Sequence, residues 1–452
     1  MKLLLKNIDY LATFDEEKRE IEGAYVVIED DVIKDVGSGN PDYEADEILD
    51  CTGYLILPGF VNTHHHMYQS LFRNVKEVQN AKLFDWLVFL YEKWKNVDEE
   101  AIYVSTAIAI YEMMQSGVTT TTDMLYLYPY GKNELFDAEV ESALKTGVRF
   151  HPTRGSMSLS RKDGGLPPDT VVQSEEEIIE ESIRVIEKYH DSRKFSMLRI
   201  ALAPCSPFSV SQGLMVKTLE IAEKYDVLLH THLAETKDEE KYCLERFGKR
   251  PVDYMEELGW LNPRVWFAHL VWLTDEDIEK LSKNDVGMAH CPVSNMRLGS
   301  GIAPVYKMKG KLRIGLAVDG SASNDTGNML QEIRTAMLLQ RVKYGSSALT
   351  PREVLEMATM GGAKVLRMDD YIGSIEVGKA ADIIGFSLDR LEFAGCLDDP
   401  LSSIVMCDAK KADLVIINGK IRIKDGRILD NDLDYLIKCH NHISRKLLSA
   451  RE

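Results

Sequence analysis

The sequence predicts an α/β fold: a (β/α)8 barrel of the TIM type, joined to a small β-sandwich made from both ends of the chain. Three observations point to this fold. Strand-like and helix-like segments alternate through the middle of the chain, short apolar runs separated by turns fill both ends, and histidine or aspartate closes many of the strand-like segments. We therefore assign 1–56 to the first part of the sandwich, 57–368 to the barrel, and 369–452 to the second part of the sandwich with a terminal helix.

The two ends of the chain have the same pattern of short apolar runs separated by turns. Apolar runs such as 24–28 near the beginning, and 381–386 and 414–419 near the end, are typical of short strands. Turns rich in glycine separate these runs. Because the two ends share this pattern, we expect them to pair with each other in one small β-domain.

Eight strand-like segments occupy the middle of the chain. The first runs into His64, and helix-like segments such as 98–115, 174–189 and 212–224 lie between the strands. The other predicted strands are 118–123, 148–152, 198–204, 227–232, 265–269, 286–290 and 313–319. Eight such units favour a barrel over a doubly wound sheet, and barrel enzymes carry their active sites at the C-terminal ends of the strands. The polar residues at those ends are His64, His66, Asp123, His232, His269, His290 and Asp319.

Composition excludes several classes of partner. The chain has 452 residues, with 54 Lys and Arg against 72 Asp and Glu, a formal net charge of −18. Such an acidic surface argues against nucleic acid and anionic membrane as partners. No apolar run reaches the roughly 18 residues of a transmembrane helix, and the first residues turn polar too early for a signal peptide. Seven scattered cysteines indicate reduced thiols and a cytoplasmic protein.

The stretch 58–66, P-G-F-V-N-T-H-H-H, is the point around which the chain is organised. In a strand, side chains two residues apart share a face, so His64 and His66 should converge while His65 points away. Two converging imidazoles at a strand end suit a zinc or iron ion. The alternative is a pair of surface histidines or the remnant of a purification tag. The internal position between apolar residues argues against a tag.

Further candidates follow later strands. His232 ends the fifth strand with Glu235 three residues later, whereas His230 shares its face but lies deeper and is expected to pack inside the barrel. His269 ends the sixth strand, and Asp319 ends the eighth. Taken singly, these histidines could be core residues and the aspartate a turn former. Together with the first pair of histidines they place three imidazoles and a carboxylate at one barrel face, which matches a single zinc ion with an open position for water.

These residues resemble the pattern of the amidohydrolase superfamily: H-x-H after the first strand, H-x-x-E at the fifth, His at the sixth and D-G at the eighth. The resemblance covers nearly the whole chain, because 373–386, G-S-I-E-V-G-K-A-A-D-I-I-G-F, is similar to the usual return into the terminal β-structure. A-H-C-P-V-S-N at 289–295 and H-L-A-E-T at 232–236 resemble the deaminase and chlorohydrolase branch. The fourth strand closes with A-P-C and no lysine, so we expect one metal ion rather than two bridged by a carboxylated lysine.

The resemblance implies a role for each residue of the set. One Zn²⁺ per chain, or Fe²⁺ in its place, would bind His64, His66, His232 and Asp319. Asp319 would also take a proton from the attacking water. Glu235 would protonate a ring nitrogen of the substrate and assist the loss of ammonia, and His269 would polarise the developing oxygen.

Two stretches give a narrower resemblance. R-G-S-M-S-L-S-R-K-D-G-G-L-P-P-D at 154–169, together with H-H-H-M-Y-Q-S-L-F-R at 64–73, is similar to the 8-oxoguanine deaminases and their isocytosine- and triazine-acting relatives. This implies hydrolysis of 8-oxoguanine to urate and ammonia, or of isocytosine, with Gln69 reading the edge of the ring. Further candidates for substrate binding are Cys205, Trp86, Trp94 and Arg154. Packing is the simpler interpretation of the cysteine and the two tryptophans.

Other functions remain open at this level. The same metal site would serve a triazine amino- or chlorohydrolase, or a deaminase of the adenosine or S-adenosylhomocysteine type. Release of chloride instead of ammonia would identify a chlorohydrolase. A non-enzymatic scaffold is disfavoured because no ligand is missing. We expect a homo-oligomer that acts on a small nucleobase-like substrate.

Overall fold

Strands lie at both ends of the chain and alternate with helices in the middle. The computed structural model describes residues 1–430 and 432–449. Its strands are β1 (Lys2–Ala12), β2 (Glu20–Glu29), β3 (Val32–Ser38), β4 (Glu47–Asp50), β5 (Tyr54–Pro58), β6 (Phe60–Asn62), β7 (Val118–Thr121), β8 (Met124–Leu125), β9 (Arg149–Phe150), β10 (Thr153–Ser156), β11 (Ala201–Pro204), β12 (Leu228–Leu233), β13 (Val265–His269), β14 (Gly287–His290), β15 (Arg313–Leu316), β16 (Ile383–Ser387), β17 (Leu414–Ile417), β18 (Lys420–Lys424) and β19 (Arg427–Ile428).

The α-helices of the same described residues are α1 (Leu83–Trp94), α2 (Glu99–Gln115), α3 (Glu134–Thr146), α4 (Glu175–Tyr189), α5 (Gln212–Tyr225), α6 (Lys237–Phe247), α7 (Pro251–Glu257), α8 (Asp275–Lys283), α9 (Pro292–Arg297), α10 (Val305–Met308), α11 (Met329–Tyr344), α12 (Pro351–Glu356), α13 (Gly362–Val365), α14 (Pro400–Met406) and α15 (Leu433–Ser449). A short 3-10 helix, Met67–Phe72, follows the H-H-H stretch. None of these helices is long and apolar enough to cross a membrane.

One sheet joins the two ends of the chain. In the described residues it contains nine strands, in the order β19-β18-β17-β16-β5-β1-β2-β3 with β4 against β1. The junction is the antiparallel pairing of β16 with β5, in which Ile384 lies opposite Leu57. Most residues of both strands are buried. The pairing of the two ends, expected from their shared pattern of apolar runs and turns, is confirmed.

The strands of the middle run parallel. Within the described residues they form a seven-stranded sheet, β15-β14-β13-β12-β11-β10-β8, and a three-stranded sheet, β6-β7-β9. Helices such as α5, between β11 and β12, supply the crossovers that parallel strands require. The predicted α/β class with a parallel sheet is confirmed. Because neighbouring strands point the same way, the residues that close them lie along one edge.

Polar side chains fix where two long helices begin. Asp98 accepts a hydrogen bond from the Ala101 N–H (2.9 Å). Ser174 accepts one from the Glu177 N–H (3.2 Å). These bonds satisfy amides of the first helical turn that have no partner inside the helix. The aspartate and serine with which the predicted helices began are therefore the caps of α2 and α4.

Several predicted strands differ in extent. The predicted strand 118–123 ends at Thr121, and the predicted strand 198–204 begins at Ala201. Of the predicted strand 148–152 only Arg149–Phe150 is extended, as β9, and β10 begins after Pro152, which has no N–H for a neighbouring strand. The predicted strand 313–319 ends at Leu316. Asp319 has a φ of 60°, a left-handed conformation that does not continue a strand. A turn, and not the strand itself, therefore places the aspartate.

The main apolar core lies between the parallel strands and the helices that surround them. Trp94 is fully buried there, with its ring centroid 5.3 Å from that of Tyr68 and 5.4 Å from that of Trp86. Both pairs are edge-to-face, an arrangement that contributes ~0.5–1.5 kcal/mol beyond burial. This aromatic cluster backs the short 3-10 helix after the H-H-H stretch, so the core supports the edge where the polar residues collect.

Candidate active site

Two polar side chains hold the segment that leaves β6. Asn62 donates to Thr121 Oγ1 (3.0 Å) and accepts from the Val318 N–H (2.9 Å). The Thr63 hydroxyl donates to the Leu316 carbonyl (3.0 Å). The chain beyond β6 is thus fixed between β7 and the residues that follow β15, although the strand has ended.

The two imidazoles of this segment converge. The ring centroids of His64 and His66 lie 4.7 Å apart, and both rings are buried. His65 turns away, and its Nδ1 accepts a hydrogen bond from the His66 N–H (2.7 Å). The structure therefore brings together the pair that the alternation of a strand predicted, even though both histidines follow β6 instead of lying in it.

Hydrogen bonds fix which ring nitrogens face the centre. His66 Nδ1 lies 2.8 Å from the Met124 carbonyl oxygen. His232 Nδ1 lies 2.7 Å from the Cys205 carbonyl oxygen. A carbonyl only accepts, so in each neutral ring Nδ1 carries the proton and Nε2 carries a lone pair. The two Nε2 atoms are 3.1 Å apart, a distance at which lone pairs repel unless a cation lies between them.

Asp319 completes this cluster. Its Oδ1 lies 3.3 Å from His64 Nε2 and 3.6 Å from His66 Nε2. Its Oδ2 accepts hydrogen bonds from the hydroxyls of Ser294 and Ser323. One carboxylate oxygen is therefore anchored, and the other is directed at the histidines.

The donor set fits one divalent metal ion. Burial lowers the pKa of His64, His66 and His232, that of His66 to about 3. Neutral imidazoles with a carboxylate are the ligands that zinc prefers. The ligand atoms of His64, His66 and Asp319 lie within 4.8 Å of one another, and so do those of His64, His232 and His269. The ring nitrogens of the three histidines and one oxygen of Asp319 face one another with no proton between them, and such a set of electron donors can coordinate a cation.

Glu235 and His269 lie beside this centre. His269 Nε2 is 3.6 Å from Glu235 Oε2, and both side chains are buried. Burial raises the pKa of the Glu235 carboxyl. Burial disfavours charge on His269 as well, but the carboxylates of Glu235 and Asp319 outweigh it and raise the pKa of the imidazole. Asn295 Oδ1 lies 2.9 Å from His269 Nδ1 and orients the ring.

Glu239 positions the backbone that carries Glu235. Its carboxylate accepts hydrogen bonds from the N–H groups of Ala234 and Glu235, both at 2.8 Å. Ala234 has a φ of 52°, a conformation that costs about 1 kcal/mol or more in a residue other than glycine. Sequence reasoning missed this role. The available signal was an acid three residues after Thr236, the N-cap of α6.

A cavity opens in front of the cluster. Gln69 lines it, and the buried Oε1 of this amide has no hydrogen-bond partner in the described residues. Gly320 makes room for the amide, because a Cβ at this glycine would lie 2.0 Å from Gln69 Oε1. The two residues of the D-G pair therefore have different tasks. Asp319 faces the histidines, and Gly320 leaves space for the Gln69 amide.

The remaining walls of the cavity are mostly apolar or aromatic. Of the candidates from the sequence, Cys205 and Trp86 line it. Burial raises the pKa of the Cys205 thiol to about 12, so the thiol is protonated at neutral pH. The other lining residues are His66, Leu83, Leu87, Tyr91, Tyr126, Phe208, His232, Glu235, His269, Leu298, Asp319 and Ser323. Sequence reasoning did not single out Tyr126, Phe208 or Ser323, since none stands in a pattern that distinguishes it from core or turn.

Two candidates for substrate binding do not line the cavity. Trp94 belongs to the aromatic cluster of the core behind it. Arg154 donates to Gln173 Oε1 (2.7 Å), and its guanidinium lies 3.8 Å from the ring centroid of Tyr128. Its guanidinium also donates to the Gly155 carbonyl in β10 and to Asn133 Oδ1 (3.2 Å) before α3. The arginine therefore links these segments and does not line the cavity.

Two other polar residues at strand ends also lie outside the cavity lining. Asp123 accepts from the Met67 N–H (2.6 Å) and is next to the buried Glu139. Burial raises the pKa of Asp123 to about 7 and that of Glu139 well above its usual range, so the pair favours a shared proton. His290 is fully buried at the end of β14. These residues support the fold around the site.

The fold and the site together define a class of hydrolase, and the sequence pattern of the Amidohydrolase family matches residues 55–422. The chain belongs to this family. Its relatives include deaminases and other hydrolases that act on C–N bonds, and it is an enzyme of the deaminase and chlorohydrolase branch of the superfamily.

Three comparisons describe the relationship. The chain is 44% identical over 442 residues to 8-oxoguanine deaminase from Pseudomonas aeruginosa, covering 97% of this chain and 98% of the relative. It is 34% identical over 410 residues to hydroxydechloroatrazine ethylaminohydrolase from Pseudomonas sp. (strain ADP), with coverage of 89% and 85%. The crystal structure of atrazine chlorohydrolase from Arthrobacter aurescens TC1 complexed with zinc superimposes with a TM-score of 0.93 at 30% identity, covering 98% and 100%.

Proposed function

We propose that the protein is a zinc-dependent deaminase of a cyclic acylguanidine, with 8-oxoguanine as the main substrate and isocytosine as a smaller one. One observation carries the proposal. The cavity combines a metal-binding set, a buried acid at Glu235 and an unpartnered amide at Gln69 on its walls. Hydrolysis would convert 8-oxoguanine and water to urate and ammonia.

Each side chain of the site has a task in this reaction. Zinc on His64, His66, His232 and Asp319 would lower the pKa of a water molecule toward neutrality. Asp319 would receive the proton of the attacking water. Glu235, whose pKa is raised by burial, would protonate the ring nitrogen beside the amine-bearing carbon and later assist departure of ammonia. His269 would hydrogen-bond the oxygen that develops at that carbon.

The cavity walls favour a flat, uncharged ring. None of the described residues that line the cavity is lysine or arginine, so the lining offers no basic side chain to bind a phosphate group. Trp86, Tyr91 and Phe208 offer apolar faces. Gln69 can donate and accept along one edge of a heterocycle, and a buried amide needs such partners. A free base fits these properties better than a nucleotide.

A triazine hydrolase is the second candidate. The zinc complex of atrazine chlorohydrolase superimposes closely on this chain, and the metal set does not distinguish the two chemistries. The higher identity and nearly full coverage of the 8-oxoguanine deaminase support the purine. We therefore rank deamination of a purine ahead of triazine hydrolysis.

A substrate panel tests the proposal. Release of ammonia from 8-oxoguanine or isocytosine should be much faster than from adenosine, cytosine or S-adenosylhomocysteine. A site that pairs with the acylguanidine edge should reject analogues without it by on the order of 10⁴-fold, because its own polar groups would be left unpaired. If guanine, adenosine or a chlorotriazine is the best substrate while 8-oxoguanine and isocytosine are inert, the substrate assignment is wrong.

We also propose that the parallel strands close into a barrel. The Thr63 N–H donates to the Leu316 carbonyl (3.1 Å), which links the residues after β6 to β15. The Met124 N–H donates to the His65 carbonyl (2.8 Å), which links β8 to the same segment. The proposed units are 1–56, 57–368 and 369–452. The homo-oligomer and the cytoplasmic location stay predictions, and light scattering of the purified protein tests the first.

A further inference from the structure

We propose that His230 is a positioning residue: it fixes the tautomer of His64 and thereby turns the Nε2 lone pair of His64 toward the metal ion. From the sequence we expected only a packing role for it in the barrel interior. The inference rests on the metal site of the proposed function but concerns a residue outside the ligand set.

The carbonyl of Trp266 fixes the tautomer of His230. His230 Nδ1 lies 2.8 Å from this oxygen, and an oxygen that only accepts requires a proton on that nitrogen. A neutral His230 ring then has its lone pair at Nε2. That atom is 2.7 Å from His64 Nδ1, so the proton between the two rings belongs to His64. The other nitrogen of His64, 3.3 Å from Asp319 Oδ1, keeps its lone pair.

The surroundings of His230 disfavour the other protonation states. The ring is fully buried and stacked on the indole of Trp266, with centroids 4.4 Å apart and planes 12° apart. No carboxylate is among its hydrogen-bond or ion-pair partners in the described residues. A charged ring would therefore be buried without compensation. The opposite neutral tautomer would set an unprotonated nitrogen against the Trp266 carbonyl.

Trp266 holds both ends of this arrangement. Its carbonyl accepts from His230, and its Nε1 donates to the carbonyl of Thr63 (3.0 Å), the residue before His64. The two imidazoles, the indole and the backbone before His64 therefore form one closed frame. Rotation of either ring breaks at least one hydrogen bond of the frame, so the orientation of His64 is set before a metal ion arrives.

Zinc affinity tests the inference without substrate. In His230→Leu neither hydrogen bond can form. The Kd for zinc, measured on the purified protein by competition with a chelator, should therefore rise 10–100-fold, the range typical for loss of a group that orients a ligand. His230→Gln can accept from His64 through Oε1 and donate to the Trp266 carbonyl through its NH₂ group. It should bind zinc nearly as well as the wild type.

A matched control separates positioning from packing. His290 is also fully buried at a strand end, but neither ring nitrogen has a partner in the described residues. His290→Leu should leave zinc affinity unchanged. If the Leu variant at position 230 does not fold, His230→Asn replaces it, because its shorter side chain cannot reach both partners and should bind zinc as weakly.

The outcomes are distinguishable. Wild-type protein that binds no zinc would overturn the proposed function. Wild-type protein that binds zinc, with Leu or Asn at position 230 binding it equally well, would overturn only the role of His230. Equal weakening in the Gln variant and the Leu variant would also overturn it, because the effect would then come from ring packing and not from the hydrogen bonds.

Discussion

The two sides of the cavity are built differently. On the metal side, hydrogen bonds hold the groups that face the centre: His66 and His232 through Nδ1, and Asp319 through Oδ2. The rest of the lining, the substrate side, is aromatic and aliphatic and includes Gln69, whose Oε1 has no partner in the described residues. The metal side is organised in advance for hydrolysis in general. The substrate side leaves one amide for a particular substrate to satisfy.

This difference means that substitutions on the two sides should separate metal binding from substrate binding. Loss of a group on the metal side should reduce metal content or turnover. Loss of the amide should change substrate affinity while the metal stays. The four predictions that follow run from the largest expected effect on activity to the smallest.

Replacement of a ligand should have the largest effect. Purified wild-type protein should contain about one divalent ion per chain, because four ligands converge on one centre. His66→Ala removes a nitrogen that faces both His232 and Asp319, and metal content should fall close to zero together with activity. Elemental analysis measures this. Two ions per wild-type chain would contradict the single-metal assignment, and full occupancy in the variant would show that His66 is not a ligand.

Glu235→Gln should retain the metal ion but lose turnover by on the order of 10²-fold or more, the usual contribution of a group that transfers protons. The amide keeps the shape of the side chain and removes its acid. Metal content and kcat are measured on the same preparation. Normal turnover would exclude the proposed role, whereas loss of metal would make Glu235 a ligand.

His269 lies at the boundary of the two roles. Its ligand atom lies within 4.8 Å of those of the proposed ligands His64 and His232. Its Nε2 also lies 3.6 Å from Glu235 Oε2. His269→Asn should reduce kcat more than it reduces metal occupancy, because the proposed task of this ring is to stabilise the developing oxygen. An equal loss of both quantities would add His269 to the ligands. No loss of either would leave it as a core residue.

The metal side could be predicted from the sequence and much of the substrate side could not. The H-x-H spacing directly after β6 brings two imidazoles together by local geometry, so His64 and His66 could be identified from the stretch itself. The walls come from separate segments. Tyr126 and Phe208 meet at the cavity only because the chain folds, and neither has a local pattern. The D-G pair carried a signal for its aspartate but not for the space that Gly320 leaves.

Local pattern also explains why two candidates for substrate binding do not line the cavity. The segment 154–169, which runs from β10 into the loop after it, matches a pattern of related deaminases, and Arg154 stands at its beginning. A matched pattern does not state which way a side chain points. In the structure the guanidinium bonds to Gly155, Asn133 and Gln173, and Trp94 packs in the core. Fold elements such as the alternating strands and capped helices were predictable because periodicity and capping act over a few residues.

Gln69 and Arg154 give the final and sharpest comparison, since both were assigned to the substrate and only one lines the cavity. Gln69→Ala should raise KM about 10-fold, the upper range for one hydrogen bond between neutral groups, with the metal retained. Arg154→Met should leave KM unchanged and lower the free energy of unfolding by about 1–3 kcal/mol, because Gln173 Oε1 would lose its donor. Steady-state kinetics on 8-oxoguanine and denaturant unfolding measure the two effects. A raised KM with unchanged stability in the Arg154 variant would return that residue to the substrate, and an unchanged KM in the Gln69 variant would remove the amide from recognition.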